Sequence, residues 1–414
     1  MLQARDASLN SLSVRLLLAS MALNSTPLGF TLVVLPIYLN QIGFSAEVIG
    51  GITSASSIAN TLALVPFAIA ADRYGRKIFV ISGFSVAAPA YLLFGFTRDL
   101  NLLILASAIG GVGLAGGFSA AVWTPAWTAL LADKSGVDGR AKAFAWSQGM
   151  WTVALTAGSM LSILPALLKT GLLVSIRESF QYTFLVFAVV SIISALVILP
   201  ITEGDYSSVG PGKLRKSLLP KSFAHISKFS FTLGLVGFAS GLSVQLLSLW
   251  FNRMYGVDES ALGPWFAAAE VTSLVIVPII PILTRTLGSP KSVLTTQGLS
   301  AFFLCSMVLA PRYEFAGILF VIRNFFMNLS WPLQQSYLMG TVPADERASA
   351  SAITSTIWGI GSSISPVLAG VFLSGQSYIS ISAPLILGGG IYLASAMLFY
   401  VFFRRTPLPE EETR

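Results

Sequence analysis

Residues 66–80, PFAIAADRYGRKIFV, place a highly charged turn between two long apolar segments. Asp72, Arg73, Arg76 and Lys77 carry charge there, although only 10% of the 414 residues are charged. A helix needs roughly 20 apolar residues to cross a bilayer, and the segments on both sides of the turn are long enough. The pattern predicts two membrane-spanning helices joined by a short charged turn.

The same alternation of apolar segments and short polar breaks continues along the whole chain. Hydrophobic residues make up 54% of the sequence and only 18 residues are acidic, which is too little polar surface for a water-facing protein of this length. We therefore predict an all-α integral membrane protein with twelve transmembrane helices. The spans are 13–39, 46–71, 78–97, 100–131, 143–168 and 180–201, then 229–251, 261–283, 292–310, 315–341, 348–374 and 379–403.

A polar, basic stretch over residues 202–228 divides the predicted spans into two groups of six. It is rich in Gly, Ser and Pro, a composition typical of a linker. We predict an N-terminal six-helix bundle over 1–201, a cytoplasmic linker over 202–228, and a C-terminal six-helix bundle with a short tail over 229–414.

The two groups of spans are similar in sequence. At an offset of 207 residues, and without a gap, Pro125 aligns with Pro332 and Trp151 with Trp358. Chance seldom preserves such rare residues together. The chain is therefore predicted to be a duplicated six-helix unit whose halves are related by pseudo-symmetry.

Lys and Arg residues concentrate in the predicted loops on the same side as the N-terminus. These loops include the charged turn and the basic linker, whereas the opposite loops hold few cations. Cytoplasmic loops of membrane proteins carry such an excess. We therefore predict that both termini are cytoplasmic and that the protein lies in the plasma membrane, which is the inner membrane in a Gram-negative cell.

The charged turn resembles the signature of the major facilitator superfamily, Gly-x-x-x-Asp-Arg-x-Gly-Arg-Lys. The last five fixed positions of that signature are Asp72, Arg73, Gly75, Arg76 and Lys77 in this chain. Ala68 stands in place of the leading Gly. The resemblance implies two bundles that rock against each other in alternating access, with solute bound near the middle of the membrane. In pattern the chain is most similar to the twelve-helix drug:proton antiporters.

Two other signatures of those antiporters are incomplete. Ser107 stands in the fourth span where an Arg is usual, and Ser162 and Ile163 replace a Gly-Pro pair in the fifth. Gly149 and Gly158 keep the start of the fifth-span pattern. The resemblance therefore points strongly to the fold and only weakly to the substrate.

The resemblance also implies that the charged cytoplasmic loops act as a gate. Asp72 would act as a latch, pairing with basic groups and with the start of the eleventh helix, where free N–H groups favour an acid. The predicted gating residues are Asp72, Arg73, Gly75, Arg76, Lys77, Asp138, Arg140, Asp345 and Arg347. The alternative is a loop that only fixes topology through its positive charge.

Two charged residues lie deep inside predicted spans and not at their ends: Glu270 in the eighth and Arg323 in the tenth. At about 1.5 Å per residue both lie roughly 12–14 Å from the outer end of their span, close to the midplane. A charge there costs about 2.5 to 3.5 kcal/mol, so each residue requires a partner or a function. We predict that Glu270 exchanges a proton and that Arg323, when paired with it, favours its ionised form. A fixed buried ion pair and direct binding of an anionic substrate by Arg323 are the alternatives.

Polar and aromatic residues on the first, fourth, seventh and tenth spans are candidates for a substrate site, because the resemblance implies that these helices line the cavity. Amides, an Arg and several indoles suit an amphiphilic or aromatic organic molecule. The predicted substrate-binding residues are Asn24, Thr26, Trp123, Trp127, Gln245, Arg323, Asn324, Asn328, Trp331 and Gln335. For the tryptophans, packing between helices or at the membrane interface is the alternative.

The predicted function is secondary active transport of a small organic solute, coupled to protons through Glu270. An uncoupled facilitator and a membrane sensor that moves nothing are the alternatives. No set of nucleophile, base and acid, no phosphate loop and no metal-ligand spacing occurs in the sequence, so we expect no enzyme activity, cofactor or metal. The expected partners are the solute, protons and membrane lipids. Nucleic acid is not expected, and the protein is expected to be a monomer.

Overall fold

A computed structural model describes residues 12–111, 116–203, 222–276, 278–343 and 346–405. Within these ranges nearly every residue is helical and no β-strand occurs. Helices satisfy all backbone hydrogen bonds within one segment, which is why an apolar chain in lipid adopts them.

The helices follow one another with short connections. The described residues up to 203 contain α1 (Leu12–Gln41), α2 (Ala46–Tyr74), α3 (Arg76–Phe96), α4 (Leu100–Gly110), α5 (Gly117–Met160), α6 (Leu164–Gly171) and α7 (Ile176–Leu196). Those from 222 onward contain α8 (Phe223–Ser243), α9 (Leu247–Tyr255), α10 (Glu259–Val275), α11 (Ile279–Leu287), α12 (Ser289–Ser306), α13 (Tyr313–Thr341), α14 (Arg347–Ser374) and α15 (Tyr378–Phe403).

By length and apolar composition, nine helical segments of the described ranges can cross a membrane, or ten if α10 and α11 form one bent span. Twelve were predicted, and the difference lies mainly in the fourth and tenth spans. Helix α4 has only 11 residues, too few to span a bilayer alone. Helix α13 has 29 residues, but its Arg and amide side chains lower its hydropathy.

The predicted fourth span is interrupted instead of continuous. Helix α4 ends at Gly111 (φ 85°), and α5 begins after Gly116 (φ 65°) with Gly117 (φ 59°). A Cβ on Gly111 would overlap the backbone of Gly116, and one on Gly117 would lie 2.6 Å from the Gly111 nitrogen. Only glycine fits both the positive φ angles and the close approach of the two helix ends.

Contacts divide the chain into two compact units. The N unit comprises Met1–Phe44, Gly51–Gly212 and Asp258–Ala267, and the C unit comprises Ser45–Gly50, Lys213–Val257 and Ala268–Arg414. The predicted boundary over residues 202–228 stays a prediction, because the linker residues 204–221 lie outside the described ranges.

The N unit is held together by close packing of α1 on α5 and by a buried aromatic cluster. A Cβ on Gly158 would overlap the Thr26 carbonyl oxygen, and one on Gly29 would overlap the Leu155 carbonyl oxygen. Phe30 packs 4.7 Å, centroid to centroid, from the Phe187 ring. Apolar burial and this close approach of backbones together fix the helix pair.

The C unit repeats this arrangement with α8 packed on α14. A Cβ on Gly237 would overlap the Trp358 carbonyl oxygen, and one on Gly361 would lie 2.8 Å from the Phe238 nitrogen. The same kind of helix contact therefore occurs in both units, as expected of a duplicated chain.

Candidate functional site

The charged turn joins α2 to α3 in the N unit. Gly75, with φ 105°, lets the chain reverse between Tyr74 and Arg76. The Arg76 guanidinium donates from Nε and Nη2 to Asp72 Oδ1, at 3.0 and 2.9 Å, and also contacts the Asp133 carboxylate. Asp72 therefore pairs with the signature's own arginine.

The Glu203 carboxylate, which was not among the residues predicted from the sequence, also stabilises this turn. The Lys77 backbone N–H donates to Glu203 Oε1 at 2.8 Å, and the Lys77 ammonium donates to the Leu199 carbonyl oxygen at 2.7 Å. The first N–H groups of a helix have no intrahelical acceptor, so Glu203 caps the start of α3. Nothing in its sequence position, just after α7, suggested this contact.

The other predicted gating residues make different contacts or lie outside the described residues. Arg73 lies 5.6 Å from the Tyr74 ring centroid, Arg140 is exposed, and Arg347 donates from Nε to the Val342 carbonyl oxygen at 3.4 Å. The side chain of Asp138 and all of Asp345 are outside the described residues. The gating role of the whole set stays a prediction.

A cavity of about 280 Å³ lies inside the N unit. Its walls come from α1, α2, α3, α5 and the end of α4, and include Asn24, Asn60, Tyr91, Trp123, Thr124 and Trp151. In the described part of the chain, none of the side chains that line it is charged. The cavity combines an aromatic surface with a few neutral hydrogen-bonding groups, which is the usual composition of a small-molecule site.

Two of the substrate-binding residues predicted in this unit line the cavity and two do not. Asn24 and Trp123 are part of its wall. The Thr26 hydroxyl donates to the Ala22 carbonyl oxygen at 3.0 Å, and Trp127 Nε1 donates to the Leu17 carbonyl oxygen at 3.1 Å. The Thr26 hydroxyl is therefore bonded within α1, and the Trp127 indole connects α5 to α1.

Several wall residues were not selected from the sequence, among them Asn60, Tyr91 and Trp151. Asn60 and Tyr91 belong to α2 and α3, which the resemblance did not place at the cavity, and Trp151 lies on the second half of α5. Trp151 had one sequence signal, its alignment with Trp358. Asn60 Nδ2 donates to the Gly117 carbonyl oxygen at 3.0 Å and so fastens α2 to the start of α5.

The intramembrane charges Glu270 and Arg323 both lie in the C unit but do not pair. Ion pairs within 4 Å in the described part of the chain do not include either residue. Arg323 is 3% exposed, and its guanidinium carbon lies 5.2 Å from the Tyr392 ring centroid. Its Nε and Nη2 have no acceptor among the described residues. Glu270 is half-buried, and its carboxylate makes no hydrogen bond or ion pair in the same ranges.

Two amides predicted to bind substrate instead connect α13 to α10. Asn324 Nδ2 donates to the Ala269 carbonyl oxygen at 2.8 Å, and Asn328 Nδ2 reaches Thr272 Oγ1 at 3.4 Å. These contacts flank Glu270 along α10. Glu270 therefore lies between two residues of α10 that are hydrogen-bonded to α13.

The three remaining substrate-binding residues predicted in the C unit differ in their burial and contacts. Gln245 is buried, and its Nε2 donates to the Ser362 carbonyl oxygen at 3.2 Å while its Oε1 has no donor in the described ranges. Trp331 is exposed and lies 6.2 Å from the Trp358 ring. Gln335 is half-buried. Their substrate-binding role stays a prediction.

No group of His, Cys, Asp and Glu in the searched part of the chain could hold a metal ion. The described residues form a membrane bundle that contains a cavity with neutral walls in the N unit and the intramembrane charges Glu270 and Arg323 in the C unit. Such a molecule belongs among transport proteins, in which polar groups inside the membrane lie on the path of a solute or an ion.

Comparison with known proteins identifies the family. A sequence model of the Major Facilitator Superfamily matches residues 17–311 and 229–414. The chain belongs to this family, which confirms the predicted membrane transport fold. Members of this family are transporters of small molecules and not enzymes, and they are integral to the plasma membrane.

The chain resembles several curated relatives over nearly its whole length. It is 22% identical over 367 residues to Multidrug resistance protein 1 of Bacillus subtilis (strain 168), covering 87% of this chain and 90% of that protein. It is 21% identical over 379 residues to Quinolone resistance protein NorA of Staphylococcus aureus (strain MRSA252), covering 90% and 92%.

Solved structures share the same fold. A bacterial homolog of the human lysosomal transporter Spinster, in an inward-facing and unoccupied conformation, aligns with a TM-score of 0.73 and 16% identity, covering 95% of this chain and 96% of that one. The nucleoside transporter NupG aligns with a TM-score of 0.74 and 15% identity, covering 95% and 100%. At such low identity the likeness is one of fold alone.

Proposed function

We propose that this protein is a secondary active transporter that moves a small organic solute by alternating access and couples that movement to protons through Glu270. The observation that carries the proposal is the Glu270 carboxylate, which lies half-buried within the membrane-spanning part of α10 and has no donor among the described residues. An unpaired acid inside a membrane is costly unless it is neutral or serves a function.

Arg323 supports an exchange of charge states. Arg323 lies on α13 beside Asn324, and Asn324 donates to the carbonyl oxygen of Ala269, the residue before Glu270 on α10. Each of the two charged residues is therefore the neighbour in sequence of a residue in this interhelical hydrogen bond. The two enclosed N–H groups of Arg323 are unsatisfied, which is unfavourable for a buried cation. We propose that Arg323 favours the ionised form of Glu270 in one state of the cycle and releases it in another.

The substrate is proposed to be an amphiphilic or aromatic organic compound. The N-unit cavity supports this through its tryptophan and tyrosine walls. The names of the relatives, Multidrug resistance protein 1 and Quinolone resistance protein NorA, support outward movement of organic compounds. We propose export, with both termini in the cytoplasm.

The test is transport into liposomes that contain the purified protein. The planar aromatic probes 2-quinolinone and N-methylquinolinium are each measured with and without an imposed pH gradient. We expect the gradient to stimulate transport by the natural protein and to have no effect on Glu270→Gln. The control is Glu178→Gln, because exposed Glu178 only closes a capping box with Ser175 and Gln can replace it there.

Proton stimulation that survives in Glu270→Gln would remove Glu270 from the coupling role. Transport by the natural protein that ignores the gradient would favour the second candidate, an uncoupled facilitator. One observation favours that candidate. Ser107 stands where proton-coupled relatives carry an Arg, and it is fully buried with its hydroxyl 2.5 Å from the Ile52 carbonyl oxygen.

A further inference from the structure

The interruption of the fourth span lies at the cavity of the N unit. Helix α4 has 11 residues, which at about 1.5 Å each carry the chain roughly 16 Å, about half the hydrocarbon thickness. Gly110, at the end of α4, and Gly116, just before α5, both line the cavity. Discontinuous membrane helices place their polar ends at binding sites, because a broken helix leaves backbone groups unpaired.

Both kinds of backbone group are present at this break. Among the described residues, the Ala120 N–H donates to the Gly116 carbonyl oxygen at the start of α5, and the Gly111 N–H donates to the Ser107 carbonyl oxygen at the end of α4. Helix geometry therefore leaves N–H groups without an intrahelical acceptor at the start of α5 and carbonyl oxygens without a donor at the end of α4. The opposite partial charges of the two helix ends lie side by side, so the break favours neither an anion nor a cation.

A buried side chain independently points to a ligand. Tyr91 is only 4% exposed and lines the cavity, and within the described residues its hydroxyl has no hydrogen-bond partner. Its ring is held against Phe187, with centroids 6.2 Å apart. The ring is buried while the hydroxyl belongs to a residue of the cavity wall, so a bound molecule or water in the cavity would supply the missing hydrogen-bond partner.

Asn24 supplies a second hydrogen-bonding group and the tryptophans supply the walls. The Asn24 amide lines the cavity and makes no hydrogen bond in the described ranges. Trp123 is 5% exposed and packs 5.0 Å from Phe84, ring centroid to ring centroid, so its indole is a fixed wall. Trp151 forms a further aromatic part of the wall. Flat aromatic surfaces with a few donors and acceptors suit a planar molecule.

From these observations we infer that the cavity binds an uncharged, planar aromatic molecule whose edge carries a hydrogen-bond donor beside an acceptor, as in a lactam. The broken ends of α4 and α5, Asn24 and Tyr91 bind that edge, and Trp123 and Trp151 contact the ring. No charged side chain among the described residues lines the cavity, so a charged ligand loses its hydration without gaining a counter-ion from them. The inference rests on the proposed transport function and specifies the substrate class at that site.

The experiment is equilibrium dialysis of radiolabelled probes against the full-length protein in lipid nanodiscs, with empty nanodiscs as the blank. 2-Quinolinone has the lactam edge, N-methyl-2-quinolinone lacks its donor, and N-methylquinolinium carries a positive charge. We expect saturable binding of 2-quinolinone, about fivefold weaker binding of the N-methyl lactam, and at least tenfold weaker binding of the cation.

Substitutions of cavity residues then test whether 2-quinolinone binds in the cavity. Tyr91→Phe and Asn24→Leu should each weaken 2-quinolinone binding by about five- to tenfold, because each removes one hydrogen bond to the ligand. The matched control is Tyr38→Phe. The Tyr38 hydroxyl donates to the Phe94 carbonyl oxygen at 2.9 Å, away from the cavity, so this variant should lose some thermal stability and keep the affinity.

Three results would overturn the inference. They are no saturable 2-quinolinone binding by a monodisperse protein at millimolar probe, tighter binding of the cation than of the lactam, or equal affinity of Tyr91→Phe, Asn24→Leu and the natural protein. Because dialysis needs no gradient, failure here leaves the role of Glu270 untouched. Lactam binding that depends on Tyr91, combined with gradient-independent transport, would retain this site and refute proton coupling.

Discussion

The two units have similar helix packing but opposite polar interiors. In the N unit the cavity walls are neutral and aromatic, and the charges lie at the end of the helices, around Arg76 and Asp133. In the C unit the charges Glu270 and Arg323 lie within helices, and each lacks a charged partner among the described residues. The difference indicates that a duplicated bundle keeps its backbone contacts while its interior side chains diverge toward separate tasks.

Under the proposed function, this contrast gives solute binding to the N unit and proton binding to the C unit. A neutral cavity can bind a solute but cannot store a proton. An intramembrane carboxylate can store a proton but costs about 2.5 to 3.5 kcal/mol when it is ionised at the bilayer centre. We therefore expect substitutions to separate substrate affinity in the N unit from proton dependence in the C unit.

The largest effect on folding should come from substitutions at the close helix contacts within each unit, α1 on α5 and α8 on α14. Gly158→Val places branched carbons where the Thr26 carbonyl oxygen lies, and Gly237→Val does the same at Trp358. Backbone cannot move aside, so each variant should lose most of its folded, monodisperse protein in size-exclusion chromatography. Gly149→Ala is the control, because no atom lies within 4 Å of its new Cβ. A folded Gly158→Val would show that α1 and α5 are not held by this approach.

The next effect concerns function without loss of the fold. Glu270→Gln should abolish stimulation by a pH gradient and leave 2-quinolinone affinity within about twofold, because Glu270 is not one of the described residues that line the cavity. Transport is measured in liposomes and affinity by dialysis. A parallel loss of both would contradict the separation of the two units' tasks.

A smaller effect is expected for the stability of Arg323 variants. Arg323→Met should leave the thermal midpoint unchanged or raise it, because replacing a buried charge by an apolar side chain of similar length is often neutral or stabilising by about 1–4 kcal/mol. Proton-dependent transport should nevertheless be lost. A strongly lowered midpoint with retained transport would instead mean that the guanidinium over Tyr392 is a structural element.

The smallest effect is expected at the charged turn. Glu203→Ala removes the acceptor of the Lys77 N–H and should lower the free energy of unfolding by about 1 kcal/mol, as other helix caps do. Glu203→Gln keeps an acceptor oxygen and should restore most of that loss. Equal stabilities of both variants and the natural protein in thermal unfolding would mean that solvent satisfies the α3 terminus.

Local features of the sequence predicted much of the fold. Apolar runs and polar breaks predicted the helices because every backbone group in lipid must bond within its own segment. The signature turn was also local: Gly75 has a positive φ between α2 and α3, and Arg76 pairs with Asp72 four residues earlier. The interruption at Gly111 and Gly116 was missed, because an apolar run reads the same whether or not a helix breaks inside it.

The candidate site was predictable only in part. Asn24 and Trp123 were found because they are polar or aromatic residues on expected helices, whereas Asn60 and Tyr91 lie on helices that no pattern marked. Trp127 was chosen with Trp123 because both share a helical face, yet its indole N–H bonds the Leu17 carbonyl oxygen. Sequence spacing gives the face of a helix but not the neighbour that this face meets.

By itself the sequence determined that this is a helical membrane protein, that its halves are related, and that a charged turn joins α2 to α3. These properties depend on hydrophobicity and on residues near each other in the chain. The tertiary structure alone decided that Tyr91 and Asn24 border one cavity, that Glu203 caps α3, and that Arg323 lies over Tyr392 instead of pairing with Glu270. These contacts depend on which helix faces meet, and that is set by packing between segments far apart in sequence.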